Sequence, residues 1–234
     1  MIYKELANYY DALVKDDQAT QQWVAFTKKF SSGDKLLELA CGSGEITIAL
    51  ANEGYDVLGT DVSIEMIDKA RSKDDSNKVS WKQMDMLKFD VKEQYDTVVC
   101  YCDSMNYLID DSDLDKVFNS VYSVLKVGGT FLFDIHSIGR KIEFEEEFIE
   151  EGMIDEVGYQ WSIRHEDSAL YHNFSFYDTN GNVVQEQHYQ KVHNPKSVSD
   201  KLSALGYSVR VYTDFEYEGI QEGEKIFFVA RKEN

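Results

Sequence analysis

Carboxylates, amides and a thiol follow a series of short apolar runs in this sequence, and each run is long enough to form a buried strand. Because the carboxyl ends of parallel strands meet at one edge of an open sheet, we expect these polar side chains to share a site. They are Glu38, Asp61, Asp85, Cys102, Asp103, Ser104, Asn106, Asp134, His136 and Ser137. The set includes no Lys or Arg, whereas a phosphate site needs cations or a full glycine cradle. It suits a cationic ligand that carries a ribose and a base.

A glycine turn follows the first of these runs. Gly42 and Gly44 have no Cβ, so the backbone can pass close to a ligand there. The second run ends in Asp61, whose carboxylate can accept both hydroxyls of a ribose. Dinucleotide enzymes carry a third glycine where this chain has Thr47, and their pyrophosphate requires a helix start without the charge of Glu45. Both departures argue against an NAD-dependent oxidoreductase.

The charge of the chain argues against a nucleic-acid substrate. The formal net charge is −19 and the isoelectric point is near 4.6. Such a surface repels a polyanion, and no stripe of Lys and Arg offsets it locally. The 234 residues, of which 43% are hydrophobic, can bury one full core, so we expect one domain with an insertion.

The N-terminal residues and the cysteines bear on the compartment. Residues 1–4 do not begin an apolar leader, and no apolar run approaches the roughly 18 residues that span a bilayer. We therefore expect a cytoplasmic protein with no membrane partner. Cys41, Cys100 and Cys102 are an odd set within strand-like runs, which predicts reduced thiols. A second pair of zinc ligands is lacking, so no metal is expected.

Strand and helix patterns alternate from residue 35 onwards, which favours parallel strands with helical crossovers. The predicted strands lie near 35–40, 56–61, 79–84, 95–101 and 129–135, and the helices between them near 45–53, 63–73 and 113–126. Residues 1–30 also read as helical and carry aromatic side chains that could cover the site. A helix near 196–205 and strands at 207–214 and 225–231 return the chain to the main sheet.

The alternation of strands and helices ends after residue 135, where three segments rich in aromatic and β-branched residues follow one another without helices between them. This pattern predicts an antiparallel ribbon, and Asn180-Gly181 predicts a two-residue hairpin turn within it. Such a turn would pair Tyr177 with Val184 and place His172 and His188 on opposite faces. A metal site shared by these histidines is then not expected.

Five motifs in order carry a family resemblance. They are Leu-Leu-Glu-Leu-Ala-Cys-Gly-Ser-Gly at 36–44, Gly-Thr-Asp-Val-Ser at 59–63 with Met66, Gln-Met-Asp-Met at 83–86, Tyr-Asp-Thr-Val-Val at 95–99 and Leu-Lys-Val-Gly-Gly at 125–129. Over residues 35–138 the chain resembles the class I S-adenosylmethionine-dependent methyltransferases. The segments at 3–11, 102–108 and 133–137 further resemble a bacterial subgroup of small methyltransferases with a β-rich insert.

The resemblance implies a Rossmann-like α/β fold. Its sheet is mostly parallel and seven-stranded, with helices on both faces and an antiparallel β insert after strand five. The implied organisation is an N-terminal helical cover at 1–30, a cofactor-binding domain at 31–138 and 196–234, and an inserted lid subdomain at 139–195. The insert could instead form the ribbon of a homodimer.

The resemblance also implies a role for each cofactor-binding residue. Ala40, Gly42 and Gly44 would line the methionine and ribose end, Glu38 would hold the ammonium or a water, and Asp61 would bind the ribose. Val62 and Met66 would pack near the adenine, Asp85 would accept from its amino group, and the Met86 backbone would meet the ring edge. Cys102 would lie near the sulfonium, and Tyr10, Tyr3 and Trp23 would close over the carboxylate.

The implied reaction is direct in-line transfer of a methyl group to a small-molecule acceptor. His136 is the first candidate to take the acceptor's proton, because its pKa is ordinarily near neutral and it ends a strand. Asp103 and Asp134 are the next candidates. The alternatives are an NAD-dependent oxidoreductase, a protein that binds S-adenosylmethionine without turnover, and a methyltransferase acting on protein or RNA.

Overall fold

The secondary structure alternates as expected in the first half and changes in the second. A computed structural model describes residues 6–75, 77–92 and 94–233. The helices are α1 (Leu6–Val14), α2 (Asp17–Phe30), α3 (Glu45–Asn52), α4 (Ile64–Lys73), α5 (Asp111–Val124), α6 (Gly139–Glu143) and α7 (Pro195–Ala204). The strands are β1 (Lys35–Leu39), β2 (Asp56–Asp61), β3 (Ser80–Gln83), β4 (Tyr95–Cys100), β5 (Leu125–His136), β6 (Phe148–Ile154), β7 (Val157–Glu166), β8 (Ala169–Tyr177), β9 (Val183–Lys191), β10 (Tyr207–Thr213), β11 (Tyr217–Glu218) and β12 (Lys225–Lys232).

The main sheet has the strand order β11-β10-β12-β5-β4-β1-β2-β3. Strands β1 to β5 pair in parallel, whereas β12 runs antiparallel to β5 and β10 antiparallel to β12. The seven strands that were expected are present, and the two-residue β11 adds a short eighth at the edge. The carboxyl ends of β1, β2, β4 and β5 therefore share one edge, here called the carboxyl edge, with the first residue of β12.

Helices cover both faces of this sheet because each carries an apolar stripe that only the sheet can bury. On one face, α5 and α7 bury Val117, Phe118 and Leu202 against the aromatic residues of β5. On the other, α2 and α3 bury Phe26 and Leu50. Full burial of each such side chain is worth about 1.5–3 kcal/mol, so the two layers hold the carboxyl edge rigidly.

Residues 148–191 form a separate antiparallel sheet with the strand order β6-β7-β8-β9. The predicted two-residue turn is wrong, because Tyr177 pairs with Val183 and the connection has five residues. The Asp178 carboxylate accepts from two backbone amides of the loop, at Asn180 (2.9 Å) and Asn182 (2.8 Å), and closes this longer turn.

The one-residue change in register reverses the prediction for the histidines of the insert. His172 pairs directly with His188, so the two side chains lie on the same face and not on opposite faces. Even so, no group of three or more His, Cys, Asp or Glu with metal-binding geometry occurs among residues 6–75, 77–92 and 94–233. Within these same ranges no helix has the length and apolarity needed to cross a bilayer.

Candidate active site

A cavity of about 370 Å³ opens at the carboxyl edge of the main sheet. It is lined by eleven of the residues predicted to bind the cofactor: Tyr10, Trp23, Glu38, Ala40, Gly42, Asp61, Val62, Met66, Asp85, Met86 and Cys102. Gly44 is not among the lining residues, and Tyr3 lies outside the described residues. The loops that follow β1, β2, β3 and β4 thus converge on one cavity.

The two glycines of the turn have different roles. Both have positive φ, 54° at Gly42 and 82° at Gly44, which favours glycine at each position. A Cβ on Gly42 would meet no atom within 4 Å, so its backbone stands open to the cavity. A Cβ on Gly44 would lie 2.6 Å from Trp81 and 2.8 Å from Ala70. Gly44 therefore allows β3 and α4 to pack against the turn, and its predicted contact with the ligand stays a prediction.

Asp61 joins the glycine turn to the loop after β2. Its carboxylate accepts from the backbone amides of Gly42 (2.9 Å) and Ser63 (2.8 Å), and its side chain is almost completely buried. Burial raises the pKa of Asp61, although the two amides oppose that shift. These hydrogen bonds fix the carboxylate against the wall of the cavity, where its remaining lone pairs can accept from hydroxyl groups of a ligand.

Glu38 is a buried acid that forms no ion pair within the part of the chain that the structure describes. Its side chain is 2% exposed, and Oε2 has no hydrogen-bond partner. Burial, reinforced by Asp61, raises the pKa of Glu38 to about 8. A cationic group in the cavity would satisfy this oxygen and favour its ionised form.

The adenine end predicted for the cavity combines an exposed and a buried side chain. Val62 is 50% exposed and Met66 is 1% exposed, so one flanks the opening and the other forms its floor. Asp85 caps its own turn, because Oδ1 accepts from the backbone amide of Leu87 (2.9 Å). Its Oδ2 lies 3.8 Å from the Lys88 ammonium, a distance that leaves it available to a ligand.

Helix α1 covers the cavity and ties the insert to the main domain. Asp11 accepts from the Ser43 hydroxyl (2.6 Å) and from Lys73 (3.1 Å), while Tyr9 stacks on Phe176 of β8 at 4.4 Å. The intervening Tyr10 lines the cavity, and burial raises the pKa of its hydroxyl well above the ordinary value. A ligand in the cavity is thus enclosed by a helix that is anchored both to the insert and to the main domain.

Beside the cavity, an ionic cluster joins the loop after β4 to the ends of β5 and β12. Lys225 Nζ lies 2.5 Å from the Asp103 carboxylate and 3.3 Å from that of Asp134. Asp134 is fully buried and also accepts from the backbone amide of Asp103 (3.0 Å), whose φ is 61°. Burial opposes ionisation of Asp103, but the Lys225 ammonium holds its pKa below the ordinary value. Burial raises the pKa of Asp134. The cluster therefore fixes Asp103 in a strained, left-handed conformation.

His136 presents an unsatisfied nitrogen to this cluster. Its Nε2 lies 2.8 Å from the Gln190 carbonyl oxygen, which can only accept, so Nε2 carries a proton. Its Nδ1 lies 3.3 Å from Asp103 Oδ1, and neither atom has a hydrogen-bond partner. Burial lowers the pKa of His136, against the opposing effect of Asp103. The neutral imidazole thus directs a lone pair at a carboxylate, and both atoms lack a hydrogen-bond donor.

The insert supplies a second unsatisfied imidazole. His172 Nδ1 accepts from Trp161 Nε1 (3.3 Å), which leaves the proton on Nε2, and Nε2 is buried without a partner. Its cross-strand neighbour His188 lies 2.7 Å from the Tyr107 hydroxyl, and Tyr107 lines the cavity. Burial lowers the pKa of His172 to about 3, so it is a neutral donor.

Sequence reasoning missed three members of this site, Lys225, Gln190 and His172, and it did not predict that Asn106 links the main domain to the insert. The amide of Asn106 joins the backbone of His136 (3.0 Å) to that of Lys191 (2.5 Å) in the insert. Lys225 was not predicted, because only the loops after parallel strands were expected at the carboxyl edge. The antiparallel strand β12 begins at this edge, where Lys225 pairs with His136. The site therefore does contain a cation.

Known proteins share both the sequence and the architecture of this chain. Residues 36–129 match a family model described as a methyltransferase domain. The YqeM protein of Bacillus subtilis strain 168 is 33% identical over 242 residues, which cover 99% of this chain and 98% of the relative. The crystal structure of an S-adenosylmethionine-dependent methyltransferase from Clostridium acetobutylicum aligns with a TM-score of 0.83 and 25% identity over 99% of each chain. The sugar N-methyltransferase KedS8 from Streptoalloteichus has the same fold, with a TM-score of 0.82 and 20% identity over 100% of this chain and 95% of its own.

The chain belongs to the class I S-adenosylmethionine-dependent methyltransferases, and it is an enzyme of that class. The cavity fits this cofactor, because Glu38 offers an unpaired buried oxygen to an ammonium and Gly42 leaves room for a ligand backbone. The expected class, fold and cofactor are thereby confirmed. The alternative of an NAD-dependent oxidoreductase is wrong.

Proposed function

We propose that the methyl acceptor is a small-molecule amine and that His136 takes its proton. The observation that carries this proposal is that His136 Nδ1 and Asp103 Oδ1, two buried acceptors 3.3 Å apart, both lack a hydrogen-bond partner. A protonated amine beside them donates to both atoms. Transfer of one proton to Nδ1 leaves an imidazolium held by the Asp103 carboxylate and a nitrogen with a free lone pair. A hydroxyl acceptor has one proton and satisfies only one of the two atoms.

The same proposal gives the neighbouring groups positioning roles. Lys225 and Asp134 hold Asp103 in place, and the complete burial of Asp134 makes it a support for the cluster and not the base. Gln190 fixes the tautomer of His136. His172 donates its free Nε2 proton to an oxygen of the acceptor, so the insert shapes the acceptor pocket as a lid.

We assign the cofactor to the cavity with the roles implied by the family resemblance. Glu38 holds the ammonium, Asp61 the ribose hydroxyls and Asp85 the adenine amino group. S-adenosylmethionine, when bound, supplies an activated methyl group and a neutral leaving group. The protein then has to orient the acceptor, remove its proton and exclude water, which α1 and the insert accomplish by covering the carboxyl edge.

Two relatives support an amine acceptor. KedS8 is named a sugar N-methyltransferase, and the glycine/sarcosine N-methyltransferase of Parasynechococcus marenigrum is 30% identical over 112 residues, covering 46% of this chain and 40% of its own. We further propose that the enzyme acts in the cytoplasm, where its three free cysteines, Cys41, Cys100 and Cys102, remain reduced.

Calorimetry and methyl transfer test the proposal in two stages. S-adenosylhomocysteine should bind the wild-type chain and lose at least about tenfold in affinity in Asp61→Ala, but not in Asp56→Ala, which alters an exposed residue at the start of the same strand. Transfer from methyl-labelled S-adenosylmethionine is then compared between glucosamine and glucose and between glycine and glycolate. Methylation confined to the hydroxyl members of these pairs would overturn the amine proposal. Cofactor binding without transfer to any of a wide set of acceptors would favour the non-catalytic alternative.

A further inference from the structure

A polar groove of about 620 Å³ lies at the opposite edge of the main sheet from the cofactor cavity. Helix α2 ends at Phe30, so the face of the sheet beyond it is uncovered. Ser208, Arg231 and Thr130 are successive cross-strand partners and therefore share this face. The groove is lined by Lys29, Phe30, Ser31, Ser32, Asp96, Lys126, Val127, Gly128, Gly129, Thr130, Ser208, Arg210, Val229, Arg231 and Glu233.

The lining of this groove, with four cations and the two carboxylates Asp96 and Glu233, has a formal charge of +2, opposite in sign to that of the chain. Four cations, Lys29, Lys126, Arg210 and Arg231, come together from α2, β5, β10 and β12, although the formal net charge of the protein is −19. Lys126 is paired with Asp96 at 2.7 Å. The other three form no ion pair with any carboxylate of the part of the chain that the structure describes. The groove therefore has cationic groups available to an anion.

Aromatic rings position two of these cations without neutralising them. The Arg210 guanidinium lies 5.0 Å from the centre of the Phe30 ring, and the Lys29 ammonium lies 4.9 Å from Phe30 and 5.4 Å from Tyr212. Lys29 is also in the last turn of α2, where a cation offsets the helix dipole. Arg210 and Arg231 are on strands and have no such role, so helix capping does not account for the cluster.

The backbone of β5 is irregular at this groove. Tyr95 pairs with Leu125 and Thr97 with Thr130, so residues 126–129 bulge out opposite the single residue Asp96. Gly128 has a φ of 80°, and a Cβ there would meet only an Arg231 nitrogen, at 3.7 Å. The main chain at Gly128 thus stands open to the groove beside the Arg231 guanidinium, a group suited to anionic oxygens.

We propose that this groove is a second ligand site, which binds a small polyanion with two or more phosphate groups. Two unpaired guanidiniums and an ammonium match adjacent phosphates, since planar guanidiniums bind them through paired hydrogen bonds. The acidic remainder of the surface repels a long polyanion, so the groove selects a small one over nucleic acid. The site is separate from the cofactor cavity, because the linings of the two share no residue.

Pyrophosphate and tripolyphosphate are the probes for this proposal. Calorimetry on the full chain should show saturable one-site binding of both, with tripolyphosphate the tighter ligand. The Arg210→Gln, Arg231→Gln double variant should bind at least tenfold more weakly. The matched control is the Arg164→Gln, Lys196→Gln double variant, which removes two cations from other exposed positions and should bind like the wild type. Amide resonances of Gly128 and Gly129 should shift during the titration.

Three results would overturn the proposal. They are the absence of saturable binding by the wild-type chain at millimolar pyrophosphate, equal weakening in both double variants, and tighter binding of a short RNA oligonucleotide than of tripolyphosphate. S-adenosylhomocysteine affinity is measured on every variant, and unchanged values show that the fold and the cofactor cavity are intact. A failure of the groove proposal can thereby be distinguished from a failure of the proposed methyl-transfer site.

Discussion

Nδ1 of His136 lies 3.3 Å from Oδ1 of Asp103, and both atoms lack a hydrogen-bond partner. Two buried acceptors at this separation repel each other unless a proton comes between them, and each unsatisfied group costs about 1–3 kcal/mol. The fold maintains this arrangement through Lys225 on one side and Gln190 on the other. We interpret the free-energy cost of these two unsatisfied groups as the reason why the site takes up the proton of the methyl acceptor.

His136→Ala should lower turnover by at least about a hundredfold while leaving cofactor affinity within about twofold, because the imidazole acts on the acceptor's proton and does not line the cofactor cavity. Single-turnover rates and S-adenosylhomocysteine calorimetry measure the two quantities separately. The control is His165→Ala, which removes a partly exposed imidazole whose Nε2 lies 2.8 Å from the carbonyl oxygen of Asp167. Equal losses of turnover and cofactor affinity would remove His136 from the chemistry.

The pH profile of turnover should reflect the same residue. Burial lowers the pKa of His136 from its ordinary value, so the neutral base persists below the pH at which an exposed histidine becomes charged. Activity should therefore be lost only as pH falls below about 6.5, and the acid limb should disappear in His136→Gln. An acid limb at or above neutral pH in the wild-type enzyme is incompatible with this assignment.

Glu38 should release a proton when the cofactor binds. Its pKa of about 8 keeps it mostly protonated at pH 7, and an ammonium beside Oε2 favours the carboxylate. Calorimetry of S-adenosylhomocysteine at pH 7 in buffers of different ionisation enthalpy should show the release of close to one proton by the wild type and of none by Glu38→Gln. Release by the variant equal to that of the wild type would place the ionisation elsewhere.

The raised pKa of Glu38 also predicts how stability varies with pH. A carboxyl whose folded pKa exceeds its unfolded value of 4.5 favours folding fully below pH 4.5, and that contribution is lost as pH rises through about 8. Glu38→Gln should therefore be more stable than the wild type at pH 9, by about 2 kcal/mol, but not at pH 5. Denaturant unfolding at the two pH values measures this, and a difference that is independent of pH would contradict it.

The two glycines of the turn should separate stability from cofactor binding. Gly44→Ala should destabilise the fold by about 3 kcal/mol, because its Cβ would lie 2.6 Å from Trp81 at a positive φ. Gly42→Ala should cost only about 1 kcal/mol in strain, because its Cβ would meet no protein atom. The backbone of Gly42 stands open to the cavity, so the added Cβ should weaken cofactor binding at least about tenfold. Thermal unfolding and calorimetry on the same two variants check the contrast, and identical behaviour of the pair would refute it.

Asp11 should control how long the cofactor remains bound. Asp11→Ala removes the contacts of α1 with Ser43 and Lys73, at 2.6 and 3.1 Å, and should raise the dissociation rate of S-adenosylhomocysteine about five- to tenfold. The control is Asp17→Ala, whose side chain is 87% exposed. Stopped-flow displacement gives both rates, and an unchanged rate in Asp11→Ala would mean that α1 does not act as a cover.

The sequence predicted the residues that lie at strand ends. Apolar runs closed by Glu38, Asp61 and Asp85 are local patterns, and a parallel sheet has only one edge at which to place them. The turn at Gly42 was predictable for the same reason, since a positive φ and a close approach leave few other residue choices. The fold class and most of the cavity follow from such local rules, whereas the identity of the cofactor came from the family resemblance.

Tertiary structure determined which residues surround Asp103 and His136 in the proposed acceptor site. These residues meet only through the pairing of strands that are far apart in the sequence. Lys225 joins Asp103 because β12 runs antiparallel beside β5, and Gln190 reaches His136 because the insert folds back over the sheet. The register of the insert depended on the bonds of Asp178 to its loop, not on Asn-Gly, and one residue of slip moves His172 to the other face. Sequence periodicity fixes which side chains share a face within an element; the packing between elements, which no local pattern encodes, brings the faces together.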